Sequence, residues 1–219
     1  MEKTKVVAIV SGGMDSSTLL YDVINMGYDV HVLSFDYNQK HKKELEFAAK
    51  TCEKLGVPHK ILNLSILNEI APSALTRDDH DVPEGHYADE TMKQTIVANR
   101  NMVMLSLATA YAIGIKAKHV FYGAHKGDFA IYPDCRTEFV DALRKAIALC
   151  DWNPPTLEAP YSEISKGDIA VRGKELGVPF EDTWSCYKGQ DLPCGKCGTC
   201  VERLEAMKFA GIEDPLRYE

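Results

Sequence analysis

Lys5-Val6-Val7-Ala8-Ile9-Val10-Ser11-Gly12-Gly13-Met14-Asp15-Ser16 is the stretch that decides the fold of this chain. The apolar run up to Val10 predicts a central parallel strand, because such strands are buried on both faces. The two glycines allow a tight turn in which successive backbone N–H groups form an anion-binding concavity. A helix that begins near Asp15 or Ser16 would direct its N-terminus at the same point. Strand, loop and helix together predict a phosphate site.

A second pattern, here called the glycine mark, recurs along the chain: a helical segment ends in an apolar residue that is followed by glycine. It stands at Met26-Gly27, Leu55-Gly56, Ile113-Gly114 and Leu176-Gly177. Glycine just past a helix end suits the left-handed cap conformation. Runs rich in β-branched residues follow the first three marks, at Asp29 to Phe35, His59 to Leu64 and His119 to Gly123.

Alternation of these strands with helix-sized segments predicts an α/β fold, a Rossmann-like parallel sheet with helices on both faces. Lys40 to Leu55 is the clearest helix, and Cys135 to Leu149 and Ser165 to Leu176 are further helices. A fifth short strand near Thr156 to Ala159 is a weaker candidate. Ligands of such a fold bind at the carboxyl ends of the strands.

Two segments depart from this alternation. The acidic stretch from Pro72 to Gln94 is too long for an ordinary connection, and such loops are often functional; the sequence leaves open whether it covers a substrate. From Phe180 onward the pattern becomes rich in cysteine and glycine. We therefore expect a nucleotide-binding catalytic domain over residues 1–179 and a small metal-binding subdomain over residues 180–219.

Composition restricts the class of protein. The chain has 219 residues, of which 45% are hydrophobic and 26% charged, as in a soluble globular protein. No stretch approaches the roughly 18 apolar residues of a membrane span, and no signal peptide precedes the first strand, so a cytoplasmic location is expected. The formal net charge of −7 argues mildly against nucleic acid as a partner.

The loop after the first strand offers specific ligands for a nucleotide. Ser11 and Ser16 can donate hydroxyl hydrogen bonds, and Asp15 can hold Mg²⁺ on the phosphates. The Gly-Lys-Ser/Thr of the Walker loop and the dinucleotide fingerprint are both absent. The structural alternative is a glycine turn whose Asp15 or Ser16 caps the helix. We assign ATP binding to Val10, Ser11, Gly12, Gly13, Met14, Asp15, Ser16 and Ser17.

Four cysteines near the C-terminus have metal-ligand spacing, C-x7-C-x2-C-x2-C, at Cys186, Cys194, Cys197 and Cys200. Four sulfurs without an open position are typical of a structural Zn²⁺ site. The bacterial iron–sulfur run begins in the same way but continues to a fourth cysteine followed by proline, which this chain lacks after Cys200. The spacing favours zinc over an iron–sulfur cluster or redox thiols. The isolated Cys52 is expected in a helix core.

The Ser-Gly-Gly-x-Asp-Ser pattern at Ser11 to Ser16 resembles the signature of the N-type ATP pyrophosphatases, or PP-loop enzymes. The resemblance implies cleavage of ATP between its α and β phosphates. An oxygen of the substrate is adenylated, and a nitrogen or sulfur nucleophile then displaces AMP.

Further blocks narrow the resemblance to the 7-cyano-7-deazaguanine synthase family of the queuosine pathway. They lie at 36–41, 94–101, 122–136 and 183–187 and at Asp214-Pro215, and the most specific are Tyr132-Pro133-Asp134-Cys135-Arg136 and the four cysteines. The family pattern leads us to expect glycine at Asn38 and Pro-Gly at Ala98-Asn99. Asparagine tolerates left-handed backbone better than most residues, so both departures are small.

The resemblance implies a carbon–nitrogen ligase with 7-carboxy-7-deazaguanine, ammonia and ATP as substrates. The carboxylate is adenylated, ammonia gives an amide, and a second ATP activates the amide toward a nitrile. No glutaminase-like segment is present, so free ammonia is the simpler nitrogen source. A homodimer is also implied, with no nucleic-acid partner.

Individual roles follow as hypotheses. Asp15 and Ser16 act on the phosphates, Lys166 neutralises the α-phosphate, and Arg100 pairs with phosphate or the substrate carboxylate. Lys166 could equally be a solvated lysine at a helix end. Asp128, Asp134 and Arg136 are candidates for holding the deazaguanine, although Asp134 could merely cap the helix from Cys135 to Leu149. His41 and His125 are left without a chemical role.

Two rival functions stay open at this point. One is a PP-loop enzyme that thiolates or lysylates a tRNA base, with Cys135 as sulfur carrier. The acidic charge balance and the lack of a basic extension speak against it. The other is a zinc-ribbon interaction module on an inactive nucleotide-binding domain, and the intact Ser11, Asp15 and Ser16 count against that loss of activity.

Overall fold

Five parallel strands form one sheet in the order β3-β2-β1-β4-β5. A computed structural model describes residues 3–77 and 79–219 of the chain. The strands are β1 (Lys5–Ile9), β2 (Asp29–Asp36), β3 (His59–Asn63), β4 (His119–Phe121) and β5 (Thr156–Glu158). The four predicted strands and the weaker fifth candidate are therefore all confirmed, as is the predicted fold class.

In the described part of the chain seven α-helices accompany the sheet: α1 (Met14–Asn25), α2 (Lys43–Leu55), α3 (Ile66–Ile70), α4 (Arg100–Gly114), α5 (Thr137–Ile147), α6 (Lys166–Glu175) and α7 (Gly198–Phe209). Side chains of β1 alternate between two cores. Val6 and Ala8 pack with apolar residues of α1, α2 and α6, whereas Val7 packs with those of α4 and α5. Both faces of the sheet are thus covered, which explains why β1 is a continuous apolar run.

The strand order reverses next to β1, whose neighbours are β2 on one side and β4 on the other. The chain winds outward from β1 to β3 and then crosses through α4 to β4. Such a reversal leaves a crevice at the carboxyl ends of the strands, where ligands bind. The loop at Ser11 to Gly13 lies at this crevice because it directly follows β1.

Helix ends largely follow the glycine marks. Gly27, Gly56 and Gly177 adopt left-handed backbone, with φ of 88°, 66° and 69°. The mark at Gly114 is wrong, since that glycine is the last residue of α4 and Lys116 takes the left-handed position instead, at φ 60°.

Besides Lys116, the described residues other than glycine that adopt left-handed backbone are two asparagines. Asn38 has φ of 65° and Asn99 has φ of 59°, so both accept the geometry for which the family pattern led us to expect glycine.

Three helices are shorter than predicted, and α6 lacks only Ser165 and Leu176, which cap its two ends. α2 begins at Lys43 rather than Lys40, because Lys40 is engaged elsewhere: its N–H donates to the Leu75 carbonyl at 2.8 Å, and its carbonyl packs against Gly189. α5 spans Thr137–Ile147 rather than Cys135 to Leu149, because Cys135 closes a separate 3-10 helix, Pro133–Cys135.

The C-terminal segment shares its core with the main body. Ala206 and Met207 of α7 pack with Met14 of α1 and Ala170 of α6 in one apolar cluster. Arg203, 1% exposed, pairs with Asp214 at 2.8 Å and ties the tail to α7. The domain division at residue 180 stays a prediction. Within residues 3–77 and 79–219, no helix has the length and apolarity needed to traverse a membrane.

Candidate active site

The loop between β1 and α1 is ordered by its own serines. The Ser11 N–H donates to the Ser16 hydroxyl at 3.1 Å, and the Gly13 N–H donates to the Ser11 hydroxyl at 3.2 Å. The first N–H groups of an α-helix have no acceptor within the helix, and α1 begins directly after this loop. The loop therefore brings serine hydroxyls and the N-terminus of α1 together where an anion can bind.

Gly12 allows the phosphate loop to pack closely against α2. Its φ is 96°, and a Cβ built on it would lie 2.0 Å from the carbonyl oxygen of Glu44 in α2. The Gly12 carbonyl also accepts the Trp184 N–H at 2.9 Å. Gly13, Met14, Asp15 and Ser16 line the cavity at the crevice, whereas Gly12 and Ser17 do not.

Lys166 is not a solvated helix-end lysine, so that alternative is wrong. It is 8% exposed, and its Nζ lies 3.1 Å from Asp15 Oδ2 and 2.8 Å from Glu202 Oε2. Burial lowers the pKa of Lys166, but the Asp15 and Glu202 carboxylates raise it more, so the net pKa is raised. The ammonium group stays charged at the mouth of the loop.

The two carboxyl oxygens of Asp15 differ: Oδ2 pairs with Lys166, whereas Oδ1 has no partner among the described residues. Burial raises the pKa of Asp15, but the Lys166 ammonium and the neighbouring His125 lower it by more, so the net pKa is lowered and the group is a carboxylate. Its Oδ1 is buried without a hydrogen-bond partner in the described chain. A buried carboxylate oxygen without a partner beside a phosphate loop fits a ligand of Mg²⁺.

His125 lies between Asp15 and Asp128. Its Nδ1 accepts the Gly127 N–H at 3.1 Å, which leaves Nε2 to carry the proton. Nε2 is 3.8 Å from Asp15 Oδ2 and 3.6 Å from Asp128 Oδ1. The imidazole N–H of His125 thus faces both acids.

The long loop from Pro72 to Gln94 contributes Tyr87 to the cavity wall. Tyr87 is buried, and its hydroxyl donates to Asp128 Oδ1 at 3.0 Å. The same loop contacts the cysteine region through a β-bridge between Glu84 and Cys197. In this structure the loop already lies against the site.

The opposite end of the cavity is aromatic and carries Arg100. Its Nη1 donates to the Tyr37 hydroxyl at 3.1 Å, and its guanidinium lies 5.4 Å from the centre of the Tyr37 ring. Burial raises the pKa of Tyr37 to about 12. Arg100 is the first residue of α4, so its position is set by the left-handed Asn99 before it.

Two of the residues predicted for the substrate stand outside the cavity. Asp128 lines it, but Asp134 and Arg136 do not. Asp134 accepts the Asn101 N–H at 3.2 Å at the start of α4, so the alternative that it caps the α5 helix is wrong. The Arg136 Nε donates to the Phe129 carbonyl at 2.9 Å, and the residue is exposed.

The four cysteines converge. Their sulfur atoms all lie within 4.8 Å of one another, and all four residues are buried. Tetrahedral bonds of about 2.3 Å to one ion put sulfurs roughly 3.8 Å apart, whereas a multi-iron cluster spreads them further. Backbone N–H groups of Cys194 and Cys197 point at ligand sulfurs, at 3.4 and 3.3 Å. The donor set fits a single tetrahedral metal ion.

Cys135 is unsuited to carrying sulfur. It is buried and receives the Asn101 side-chain amide at 3.3 Å. Burial raises the pKa of the Cys135 thiol well above its usual range, so the thiolate that such chemistry needs is disfavoured. Cys52 lies in α2 and is buried in the core, as predicted.

Sequence reasoning missed several residues of the site. Glu44, Tyr87, Tyr122 and Tyr187 line the cavity, and Glu202 binds Lys166 from α7. Glu44 could have been found, because it lies four residues before Ala48 on the buried face of α2 and a charged residue on such a face needs an explanation. No sequence signal pairs Glu202 with Lys166, since the pairing depends on how α6 and α7 pack.

The family model of "Queuosine biosynthesis protein QueC" matches residues 5–211. A 7-cyano-7-deazaguanine synthase of Methanoregula boonei is 65% identical, and the match covers 98% of this chain and 99% of that protein. One of Caldicellulosiruptor saccharolyticus is 59% identical over 98% of this chain and 96% of that protein.

A solved structure shares the fold. NMN synthetase from Francisella tularensis superposes with a TM-score of 0.55 at 16% identity, covering 96% of this chain and 78% of that one. At that identity the likeness bears on architecture alone. It agrees with the parallel sheet described above.

Proposed function

The chain belongs to the QueC family of queuosine biosynthesis proteins, and from this we propose that it is an ATP-dependent 7-cyano-7-deazaguanine synthase. Relatives of that name are similar over nearly the whole length of both chains. The observation that carries the proposal is the combination of the Ser11 to Ser16 loop with the buried Lys166 at its mouth. Activation of an oxygen by adenylation needs both.

The first activation uses the carboxylate of 7-carboxy-7-deazaguanine as nucleophile toward the α-phosphorus of ATP. A new P–O bond forms, the bond between the α and β phosphates breaks, and pyrophosphate leaves. The loop N–H groups and the Ser11 and Ser16 hydroxyls hold the phosphates. Lys166, whose Nζ lies 3.1 Å from Asp15 Oδ2 beside the loop, would neutralise the charge that develops on the α-phosphate and so stabilise the transition state.

Ammonia then attacks the acyl carbon. The C–N bond forms, AMP leaves with the electron pair of the C–O bond, and an amide results. A second ATP adenylates the amide oxygen, and loss of AMP and of both amide protons gives the nitrile. Free ammonia is the nitrogen source in this proposal, because the chain holds no glutaminase-like segment.

Other residues take supporting roles. Arg100 pairs with the substrate carboxylate or a phosphate, and Asp128 accepts from the guanine-like N–H edge. Asp15 Oδ1 would hold Mg²⁺, which neutralises phosphate charge when bound. Cys186, Cys194, Cys197 and Cys200 would hold a structural Zn²⁺. We further propose a cytoplasmic homodimer that does not bind nucleic acid.

Asp134 and Arg136 are better placed to shape the site than to contact the ligand. Asp134 fixes the start of α4, where Arg100 and Asn101 stand. Arg136 fixes the 3-10 helix Lys126–Ala130 through the Phe129 carbonyl, and that helix carries Asp128. A direct contact of either with the deazaguanine would require movement of these elements.

The decisive assay combines the protein with ATP, Mg²⁺, ammonium and 7-carboxy-7-deazaguanine. We expect the nitrile, with one AMP and one pyrophosphate released for each activation. Asp15→Ala should abolish AMP formation and leave the far-UV circular dichroism unchanged. A chain that forms no nitrile but modifies tRNA in an ATP-dependent manner would overturn the proposal.

A further inference from the structure

One acid in the cavity has no role in the steps above. Glu44 lies in the first turn of α2, its side chain is 12% exposed, and it lines the cavity. A buried carboxyl without a charged partner costs stability. We therefore expect a ligand in the cavity that pairs with this carboxyl.

Neighbouring side chains contact Glu44 through one of its two carboxyl oxygens, Oε1. Oε1 accepts the Gln39 side-chain amide at 3.3 Å and lies 3.4 Å from His41 Nε2. Within the part of the chain that the structure describes, no hydrogen bond reaches Oε2. His41 adds a second unused group, because its Nδ1 is buried without a partner there.

The surroundings of Glu44 suit a small cation. The His41 ring packs 5.1 Å from the ring of Tyr187 and 6.4 Å from that of Tyr37. The faces of tyrosine rings attract cations. Acceptors for an ammonium ion are present on Glu44 and on His41 Nδ1, which has no partner among the described residues.

Charges on the elements packed around Glu44 are compatible with this ligand. Arg100 of α4 is the cation that faces it, and among the described residues the two do not form an ion pair. Arg100 instead donates to the neutral Tyr37 hydroxyl, and its positive charge is therefore available to attract the substrate carboxylate. Burial lowers the pKa of His41 to about 3, so the imidazole is neutral and does not repel a cation.

Glu44 is also close to the reaction centre. Its backbone carbonyl touches Gly12 of the phosphate loop, so the first turn of α2 forms the wall beside that loop. Glu44, Asp15 and Lys166 line the same cavity. A nucleophile bound in that cavity is held near an acyl carbon activated there, which favours attack.

We propose that Glu44, assisted by His41, forms the binding site of the ammonium ion and deprotonates it. NH₄⁺ gives one proton to the Glu44 carboxylate and becomes NH₃. The nitrogen lone pair then attacks the acyl adenylate, the C–N bond forms and AMP leaves, and the adduct nitrogen releases its surplus proton to water. This inference rests on the proposed function.

Acid strength at this site fits the task. Burial raises the pKa of Glu44 to about 8, although Gln39 and Arg100 oppose the rise. A base with a pKa near the working pH combines a useful ionised fraction with a sufficient affinity for the proton.

The test compares Glu44→Gln with Glu46→Gln, an exposed acid of the same helix turn. Glu44→Gln should raise KM for ammonium by about 10- to 100-fold, as expected for losing a hydrogen bond to a charged group. Pyrophosphate exchange that depends on 7-carboxy-7-deazaguanine, measured without ammonium, should be unchanged in both variants. Hydroxylamine, which is uncharged at neutral pH, should serve the Glu44→Gln variant as well as the wild type.

The pH profile separates this role from a structural one. In the wild type, KM for total ammonium should fall with rising pH and level off near the pKa of Glu44, about 8. In Glu44→Gln it should keep falling, because only the fraction of free ammonia then matters. If the variant does not fold, the wild type alone suffices, since the break should occur with ammonium and not with hydroxylamine.

Outcomes are distinguishable. Absence of substrate-dependent pyrophosphate exchange in the wild type would refute the proposed function itself. Normal exchange with the same KM and the same pH profile in wild type and Glu44→Gln would refute the ammonium site only. A change of KM in Glu46→Gln as large as that in Glu44→Gln would also refute it.

Discussion

Lys166 is the side chain on which the charge balance at the phosphate loop depends. It separates the carboxylates of Asp15 and Glu202, which would otherwise face each other in a buried site. Lys166→Met keeps most of the side-chain volume and removes the charge. We expect a loss of about 3–5 kcal/mol in the free energy of unfolding, as for a broken buried ion pair. Adenylation should also slow by about 100- to 1000-fold.

Two comparisons separate these effects. Lys174→Met, at an exposed position of the same helix, should change neither quantity. Adding Glu202→Gln to Lys166→Met should recover part of the stability but none of the activity. Urea denaturation and pyrophosphate exchange measure the two; equal recovery of both would contradict a catalytic role for Lys166.

Glu44 predicts a dependence of stability on pH. Its pKa is raised from 4.5 to about 8 in the folded protein, so the folded state holds the proton more tightly than the unfolded state. The contribution to stability is complete below the unfolded pKa and is lost as pH rises to about 8. The loss amounts to about 1.4 kcal/mol per pH unit at most. Glu44→Gln should therefore melt above the wild type, with a gap that widens from pH 5 to pH 8 in calorimetry.

Single residues show where sequence reasoning ends. Asp15, Ser16, Arg100 and Lys166 all line the cavity, because their motifs fix them relative to strand and helix ends. Asp134 and Arg136 do not, because a residue in a recognisable block can serve the scaffold of its neighbours. Whether each group acts as hypothesised stays a prediction.

At the scale of elements, the contact between the phosphate loop and α2 depends on the missing side chain of Gly12. Gly12→Ala combines left-handed backbone with a clash against Glu44, and should destabilise the fold by about 2–5 kcal/mol. Gly27→Ala has similar backbone geometry, with φ of 88°, but no atom within 4 Å. It should cost only about 1–2 kcal/mol.

Chemical denaturation of both variants provides the measurement. Similar losses would mean that backbone strain alone explains the glycine and that the loop can move away from α2. Nucleotide binding should be impaired in Gly12→Ala alone, because only that variant displaces the loop.

Element boundaries were less predictable than the elements. Strands and helix ends at Gly27, Gly56 and Gly177 followed local pattern, which the backbone chemistry of glycine enforces. The start of α2 did not, because Lys40 bonds to Leu75 and packs on Gly189, contacts that only the folded chain brings together. The predicted helix end at Gly114 was also wrong, because α4 includes Gly114 and the left-handed residue after it is Lys116.

At the scale of the molecule, the four-cysteine cluster and the candidate active site share the helix α7. Cys200 and Glu202 lie in the same helix, and Glu202 binds Lys166. Cys194→Ser or removal of the ion by a chelator should lower Tm by about 10 °C or more and reduce adenylation together. Cys150→Ser, at an exposed cysteine, is the matched control.

Metal analysis and calorimetry check this prediction. A Cys194→Ser protein that stays folded and active without metal would disprove a structural ion. One melting transition rather than two would indicate that residues 180–219 do not unfold independently, as their shared core with α1 and α6 suggests.

The hydrogen bond from the Trp184 N–H to the Gly12 carbonyl has a consequence for biosynthesis. The phosphate loop leaves the ribosome early, but the backbone that braces it is translated only after all five strands. Lys166 and Glu202 also emerge late. During synthesis all five strands are therefore made before the backbone that braces the phosphate loop is available.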